Sequence, residues 1–171
     1  MAYMALFVAL YAVCAYITVP AAVPFTMQTF AVFLSAGLLG GRRSAGAVLA
    51  YLALGAAGLP VFAGFTGGFS RLIGPTGGYL VGFVFSGLIV GWVTKRFGRG
   101  TLALGLGMLA GLLACYAFGT AWFLLVYGRT ADPVSLITAL SWCVLPFLLP
   151  DGAKIALAVF LTKRLERFVQ L

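Results

Sequence analysis

The sequence predicts an all-α fold: a polytopic membrane protein that forms a six-transmembrane-helix bundle with ordered outer loops, as one domain over residues 1–171. Hydrophobic side chains make up 63% of the chain and charged ones only 8%. So few charges cannot cover the surface of a water-soluble domain, which indicates a membrane-embedded chain. The apolar residues also fall into six runs separated by short stretches rich in proline, glycine or arginine, and we interpret each run as one crossing.

Residues 2–19 form the first run, which is long enough to span because about 20 residues cross the hydrocarbon core. No basic residue precedes it and no clear cleavage site follows, so we expect a retained helix rather than a signal peptide. Ala5 and Ala9 place two small side chains one turn apart, which allows another helix to approach closely. In an alanine-rich helix such a pair also arises by chance.

The connector at residues 20–28 carries two prolines and the polar side chains Thr26 and Gln28, which predicts a stiff, ordered loop. The second and third spans, at residues 27–41 and 44–59, are short. They either extend into flanking residues or thin the bilayer locally.

Residues 60–76 contain too much glycine and proline for a regular span. They also hold three phenylalanines and one cation, Arg71. Because a flexible surface loop seldom carries three phenylalanines, we expect this segment to fold over a pocket. The remaining spans are predicted at residues 77–94, 101–127 and 134–162, with a short polar connector at 128–133.

The distribution of basic residues predicts the orientation of the bundle. With six spans, Arg71 and Arg129 lie on one side, and eight basic residues lie on the other: Arg42, Arg43, Lys95, Arg96, Arg99, Lys163, Arg164 and Arg167. The positive-inside rule then puts both termini in the cytoplasm. The five loop prolines fall on the outer side, so we expect a capture site there.

Asp151 and Lys154 are two opposite charges inside the sixth apolar run. Three residues apart on a helix, they share one face and can pair. A charge at the bilayer centre costs about 2.5–3.5 kcal/mol on insertion scales, so such residues usually line a polar cavity. The pair therefore indicates a binding site, with a purely structural ion pair as the alternative. Pro150 predicts a kink beside it.

Several classes of function are excluded by what the sequence lacks. There is no histidine, and Cys14, Cys115 and Cys143 are far apart, so neither a metal site nor a disulfide is expected. No lysine follows a glycine, so the chain has no phosphate-binding loop and cannot power transport with ATP alone. No catalytic set or cofactor motif is present. The net charge of +8 comes from clusters between spans, so nucleic-acid binding is not expected.

Four segments carry a resemblance to a known family. They read Pro-Phe-Thr-Met-Gln-Thr at 24–29, Gly-Leu-Pro-Val-Phe-Ala-Gly at 58–64, Gly-Pro-Thr-Gly-Gly-Tyr at 74–79 and Leu-Pro-Asp-Gly-Ala-Lys at 149–154. In this order they closely resemble BioY, the biotin-specific S component of energy-coupling-factor (ECF) transporters. The resemblance implies a prokaryotic cell-membrane protein that captures biotin from outside. It also implies a transmembrane coupling protein and two ATPases as partners, with Ala5 and Ala9 at the docking position.

The resemblance also assigns roles to residues. The ureido ring of biotin offers two N–H donors and one carbonyl acceptor, which an aspartate and a lysine complement. Asp151 and Lys154 match the family positions expected to bind it. Arg71 could meet the carboxylate, or could be an ordinary headgroup anchor. The full expected substrate-binding set is Asp151, Lys154, Thr26, Gln28, Phe25, Phe65, Arg71, Tyr79 and Trp122.

Three alternatives stay open at this point. A stand-alone facilitator would transport without ATP in liposomes. An S component for riboflavin or thiamin could also use an Asp/Lys pair, although the four motifs argue against it. An enzyme would need substrate turnover, for which the sequence supplies no obvious catalytic set.

Overall fold

The computed structural model describes residues 1–20, 23–130 and 134–168. Residues 131–133 of the predicted last connector, with Pro133, lie outside the described residues. The elements in chain order are α1 (Ala2–Tyr16), β1 (Thr18–Val19), β2 (Phe25–Thr26), α2 (Gln28–Leu39), α3 (Gly41–Ala56), α4 (Phe69–Ile73), α5 (Gly77–Phe97), α6 (Thr101–Thr130), α7 (Leu136–Cys143), a 3₁₀ turn (Leu145–Phe147) and α8 (Leu148–Leu165).

The predicted helical membrane protein is confirmed. By length and apolar composition, three helical segments of the described chain are able to cross a membrane: Gly77–Phe97, Thr101–Arg129 and Leu136–Leu165. Ala2–Tyr16 and Gln28–Leu39 are shorter apolar helices. The chain is therefore a multi-pass membrane protein.

Helix α2 lies at the centre of the bundle. It packs against α1, α3, α5 and α8, and its residues from Ala31 to Leu39 are all buried. Its turn into α3 is made by Gly40, whose φ of 79° is accessible to glycine at little cost. Protein therefore surrounds α2 on every side from Ala31 to Leu39.

The first connector forms a short antiparallel ladder that the helical prediction did not include. Helix α1 ends at Tyr16, earlier than the predicted residue 19, and Thr18 and Val19 pair with Thr26 and Phe25. Three consecutive β-branched residues, Ile17 to Val19, followed by Pro20 favour extended backbone over helix. This ladder holds the connector across the start of α2.

The sixth predicted span is interrupted, but not where Pro150 was expected to bend it. The break runs from Val144 to Phe147, with Pro146 at the start of the 3₁₀ turn. Pro146 has no N–H to continue the hydrogen bonding of α7, whereas Pro150 falls in the first turn of α8, where a missing N–H costs nothing. Asp151 is consequently placed in the first turn of α8, where the helix dipole favours a carboxylate.

The segment between α3 and α4 is folded against the helices. The Tyr16 hydroxyl donates to the Pro60 carbonyl at 2.8 Å, and the Tyr51 hydroxyl donates to the Val61 carbonyl at 2.8 Å. Phe62 and Thr66 form an isolated antiparallel bridge. These bonds fix the loop over the end of the bundle that carries Asp151.

Candidate functional site

Asp151 and Lys154 form a buried ion pair on α8. Lys154 Nζ lies 2.7 Å from Asp151 Oδ1, and the two side chains are only 5% and 3% exposed. The i,i+3 spacing sets this contact, because both side chains project from the same face of the helix. Burial removes competing water, so the remaining polar atoms of both groups need protein or ligand partners.

Lys154 also connects α8 to the first connector. Its ammonium donates to the Thr26 carbonyl oxygen at 2.6 Å and to Thr29 Oγ1 at 3.2 Å. The ammonium lies 3.9 Å from the centroid of the Phe25 ring, a cation–π contact. With the bond to Asp151, three acceptors face the three N–H donors of a lysine.

Two residues that the sequence did not single out complete the environment of Asp151. Thr29 Oγ1 donates to Asp151 Oδ1 at 3.0 Å, and the Tyr116 hydroxyl donates to Asp151 Oδ2 at 2.5 Å. Thr29 lies within the recognised 24–29 segment and Tyr116 is a polar side chain in an apolar run. A buried hydroxyl needs a hydrogen-bond partner, so the sequence indicates that both residues have one. It does not indicate that the partner is Asp151.

The ion pair lines a small cavity of about 50 Å³. Its walls include Phe147, Cys115 and Cys143. An adjacent cavity of about 80 Å³ extends toward Arg71. The two cavities share five lining residues: Val23, Pro24, Thr26, Tyr79 and Phe83.

Tyr79 and Arg71 both line cavity walls, in different ways. Tyr79 is buried between the two cavities and its hydroxyl pairs with Thr120 Oγ1 at 2.9 Å. Gly119 makes room for its ring, since a Cβ there would lie 2.3 Å from it. Arg71 sits on α4, is exposed, lines only the second cavity, and has no ion-pair partner among the described residues.

Gln28 lines the second cavity, but its amide is engaged elsewhere. Nε2 donates to the Tyr51 hydroxyl at 2.7 Å, and Oε1 accepts from Thr26 Oγ1 at 3.1 Å. Tyr51 in turn donates to Val61 in the α3–α4 loop. Thr26 and Gln28 thus tie the first connector to that loop across the cavity mouth.

Only some of the aromatic residues predicted for the site lie beside the ion pair and its cavities. Phe25 packs on Lys154 and stacks on Phe147 with ring centroids 6.0 Å apart. Phe65 is 66% exposed, stacks on Tyr16 and lines neither cavity. Trp122 also lines neither cavity, and its indole N–H donates to the Gly74 carbonyl at 3.0 Å. Phe65 and Trp122 therefore fasten loops to helices instead of forming cavity walls.

Ala5 and Ala9 are exposed on the outer face of α1, opposite the buried Phe7 and Tyr11. Nothing in the described residues covers them. They lie away from the ion pair, on a surface that another helix could approach.

The model of the BioY family matches residues 1–171. The chain belongs to the BioY family. The resemblance carried by the four segments is thereby confirmed. Two BioY relatives cover nearly the whole chain. The probable biotin transporter BioY of Pyrococcus horikoshii is 42% identical over 163 residues, 95% of this chain and 93% of its own. The biotin transporter BioY of Thermotoga maritima is 40% identical over 163 residues, 95% of this chain and 92% of its own.

A solved structure supports the same placement. The crystal structure of the S-component for biotin from an ECF-type ABC transporter superposes with a TM-score of 0.88 at 26% identity. It covers 97% of this chain and 89% of the solved chain. BioY proteins are transport proteins, so the expectation that this chain is not an enzyme is confirmed.

Proposed function

We propose that this chain captures biotin from outside the cell and delivers it across the membrane as the S component of an ECF-type transporter. The observation that carries the proposal is the buried Asp151–Lys154 pair, which Thr29 and Tyr116 hold at the wall of a cavity. The chain that carries this pair is 42% and 40% identical to two BioY transporters.

The chemistry of the ureido ring matches this pair. A carboxylate oxygen of Asp151 accepts a ring N–H, and the Lys154 ammonium donates to the ring carbonyl. All three lysine donors have acceptors in the structure, so the ring carbonyl has to replace one of them. We infer that the bond to the Thr26 carbonyl opens, because its loss leaves the ion pair intact.

The apolar parts of biotin fit the shared cavity wall. Tyr79, Phe83 and Phe147 offer aromatic surface beside the ion pair for the thiophane ring. The valeryl chain then runs through the second cavity, and its carboxylate meets Arg71, which lines the far wall and has no ion-pair partner within the described part of the chain. The cavities measure about 80 and 50 Å³, whereas binding sites for drug-sized ligands measure about 300–1,000 Å³. Biotin binding therefore requires the first connector or the α3–α4 loop to move outward.

We propose six crossings with both termini in the cytoplasm of a prokaryotic cell. This orientation is supported by one groove at a single end of the bundle, which is lined by Arg42, Arg43, Lys95 and Arg99. Lys163 donates to the Arg99 carbonyl at that end. Arg71 lies with the ion pair toward the other end. This asymmetry is the one that the positive-inside rule interprets.

The energy for release comes from other subunits in this proposal. The chain has no phosphate-binding loop, so a transmembrane coupling protein and two ATPases supply ATP-driven motion. The exposed Ala5 and Ala9 on α1 form the surface where the coupling protein docks, since small side chains let helices approach closely.

The direct test is a calorimetric titration of the purified chain with biotin, dethiobiotin, riboflavin and thiamin. Dethiobiotin keeps the ureido ring but lacks the thioether, so we expect it to bind, and the two other vitamins not to. Binding of riboflavin or thiamin instead of biotin would reject the proposed substrate. Uptake by the chain alone into liposomes, without ATP, would favour the stand-alone facilitator.

A further inference from the structure

A groove at the basic end of the bundle has a cationic rim. It measures about 640 Å³ and lies between the start of α3 and the end of α5, and we call it the basic groove. Arg42, Arg43, Lys95 and Arg99 line it. Its volume falls within the range of about 300–1,000 Å³ that is typical of ligand sites.

The charge of the basic groove is not neutralised by the described chain. The whole sequence has three acidic side chains. Asp151 pairs with Lys154, and Glu166 pairs with Lys163. The third, Asp132, lies outside the described residues and follows the opposite end of α6 in the chain. An external anion is therefore the natural partner of this rim.

Two parts of the basic groove are held in place by contacts of their own. The Arg99 guanidinium donates to the carbonyls of Gly37 and Leu38 at the end of α2, which fixes its charge at the rim. Gly41 and Gly91 bring α3 and α5 into backbone contact, because a Cβ on Gly91 would lie 2.2 Å from the Gly41 Cα. Arg42, Arg43 and Lys95 are thus presented on a packed helix crossing, and the bonds to α2 hold Arg99 in the short connector between α5 and α6.

The basic groove also has an apolar wall that points away from the bundle. Trp92 is 64% exposed and Leu88 is 42% exposed, both on the membrane-crossing helix α5. An inorganic anion would use only the cationic rim, and an acidic protein segment would not need a wall that faces acyl chains. An amphiphile with an anionic headgroup uses both parts.

We propose that the basic groove is a binding site for one anionic phospholipid, with the phosphate at Arg42, Arg43 and Lys95 and an acyl chain along Leu88 and Trp92. This site lies apart from the ion pair and does not depend on which vitamin the chain binds.

The test compares lipid retention by native mass spectrometry of the purified chain, titrated with phosphatidylglycerol or phosphatidylcholine in neutral detergent. The variant Arg43→Gln with Lys95→Gln removes two exposed groove charges. The matched control, Arg164→Gln with Arg167→Gln, removes two exposed charges at the end of α8, outside the groove. Thermal unfolding in lipid-free detergent verifies that both variants are folded.

The expected result is tighter retention of phosphatidylglycerol than of phosphatidylcholine by the wild type. The groove variant should bind phosphatidylglycerol about 30-fold more weakly, which corresponds to about 2 kcal/mol for two charges. The control variant should weaken this binding less than about threefold. Equal loss in both variants would mean diffuse attraction and would overturn the site. Displacement of bound phosphatidylglycerol by equimolar inorganic phosphate would also overturn the site. So would a groove variant that retains the lipid but no longer assembles with the coupling protein.

Discussion

The replacement Asp151→Asn tests whether the buried pair binds biotin or only holds helices together. The change keeps the size of the side chain but removes the charge that faces Lys154 at 2.7 Å. A charge-assisted hydrogen bond contributes about 1.5–3 kcal/mol, so biotin should bind about 10- to 150-fold more weakly. Calorimetric titration of the purified variant measures this loss.

The same replacement also destabilises the fold. Lys154 is 5% exposed, and in this variant its ammonium loses its counter-ion and is left with uncharged partners such as the Thr26 carbonyl, Thr29 and the Phe25 ring. Removing one charge of a buried ion pair leaves the other uncompensated and lowers the free energy of unfolding by about 3–5 kcal/mol, which a thermal unfolding scan would detect. The matched control is Glu166→Gln, which breaks the other i,i+3 pair, with Lys163. Its side chains are 38% and 29% exposed. Its loss should cost at most about 1 kcal/mol and leave biotin affinity unchanged.

The double variant Asp151→Asn with Lys154→Met separates the two roles. Removing both charges should recover stability, because no unpaired buried charge remains, but it should not recover biotin binding. Wild-type biotin affinity in the folded double variant would refute the assignment of these residues as ligand contacts.

Four further outcomes are expected. Tyr116→Phe removes the donor to Asp151 Oδ2 and should weaken biotin about tenfold or more. Tyr3→Phe at the exposed start of α1 is its control, and equal affinities in the two variants would exclude a role for the Tyr116 hydroxyl. Biotin should slow maleimide labelling of single-cysteine proteins that retain Cys115 or Cys143, since both buried residues line the cavity, whereas unchanged labelling rates would place biotin elsewhere. Engineered cysteines beside Arg42 and Arg96 should react only from the cytoplasm, and labelling of either from outside intact cells would overturn the six-span orientation. Ala5→Leu and Ala9→Leu should block assembly with the coupling protein while biotin affinity stays unchanged. Ala156→Leu on α8 is the control. Normal assembly and uptake by both α1 variants would reject the docking surface.

The sequence by itself determined the features that depend on neighbouring residues. The apolar runs identified a helical membrane protein, and the basic pairs at 42–43 and 95–96 marked the chain reversals at Gly40 and Gly98. The contact between Asp151 and Lys154 was also predictable, because three residues along one helix fix which side chains share a face.

The tertiary structure decided which distant groups meet that pair. Thr29 and Tyr116 reach Asp151 from 122 and 35 residues away, and the Thr26 carbonyl reaches Lys154 from 128 residues away. Phe65 and Trp122 were expected at the cavity, but lie against Tyr16 and the Gly74 carbonyl. Periodicity gives the faces of one helix, but the rotation and height of each helix against its neighbours follow from packing across the whole bundle. A hydroxyl in an apolar run therefore indicates that a hydrogen-bond partner is present, and only the packed bundle determines which residue that partner is.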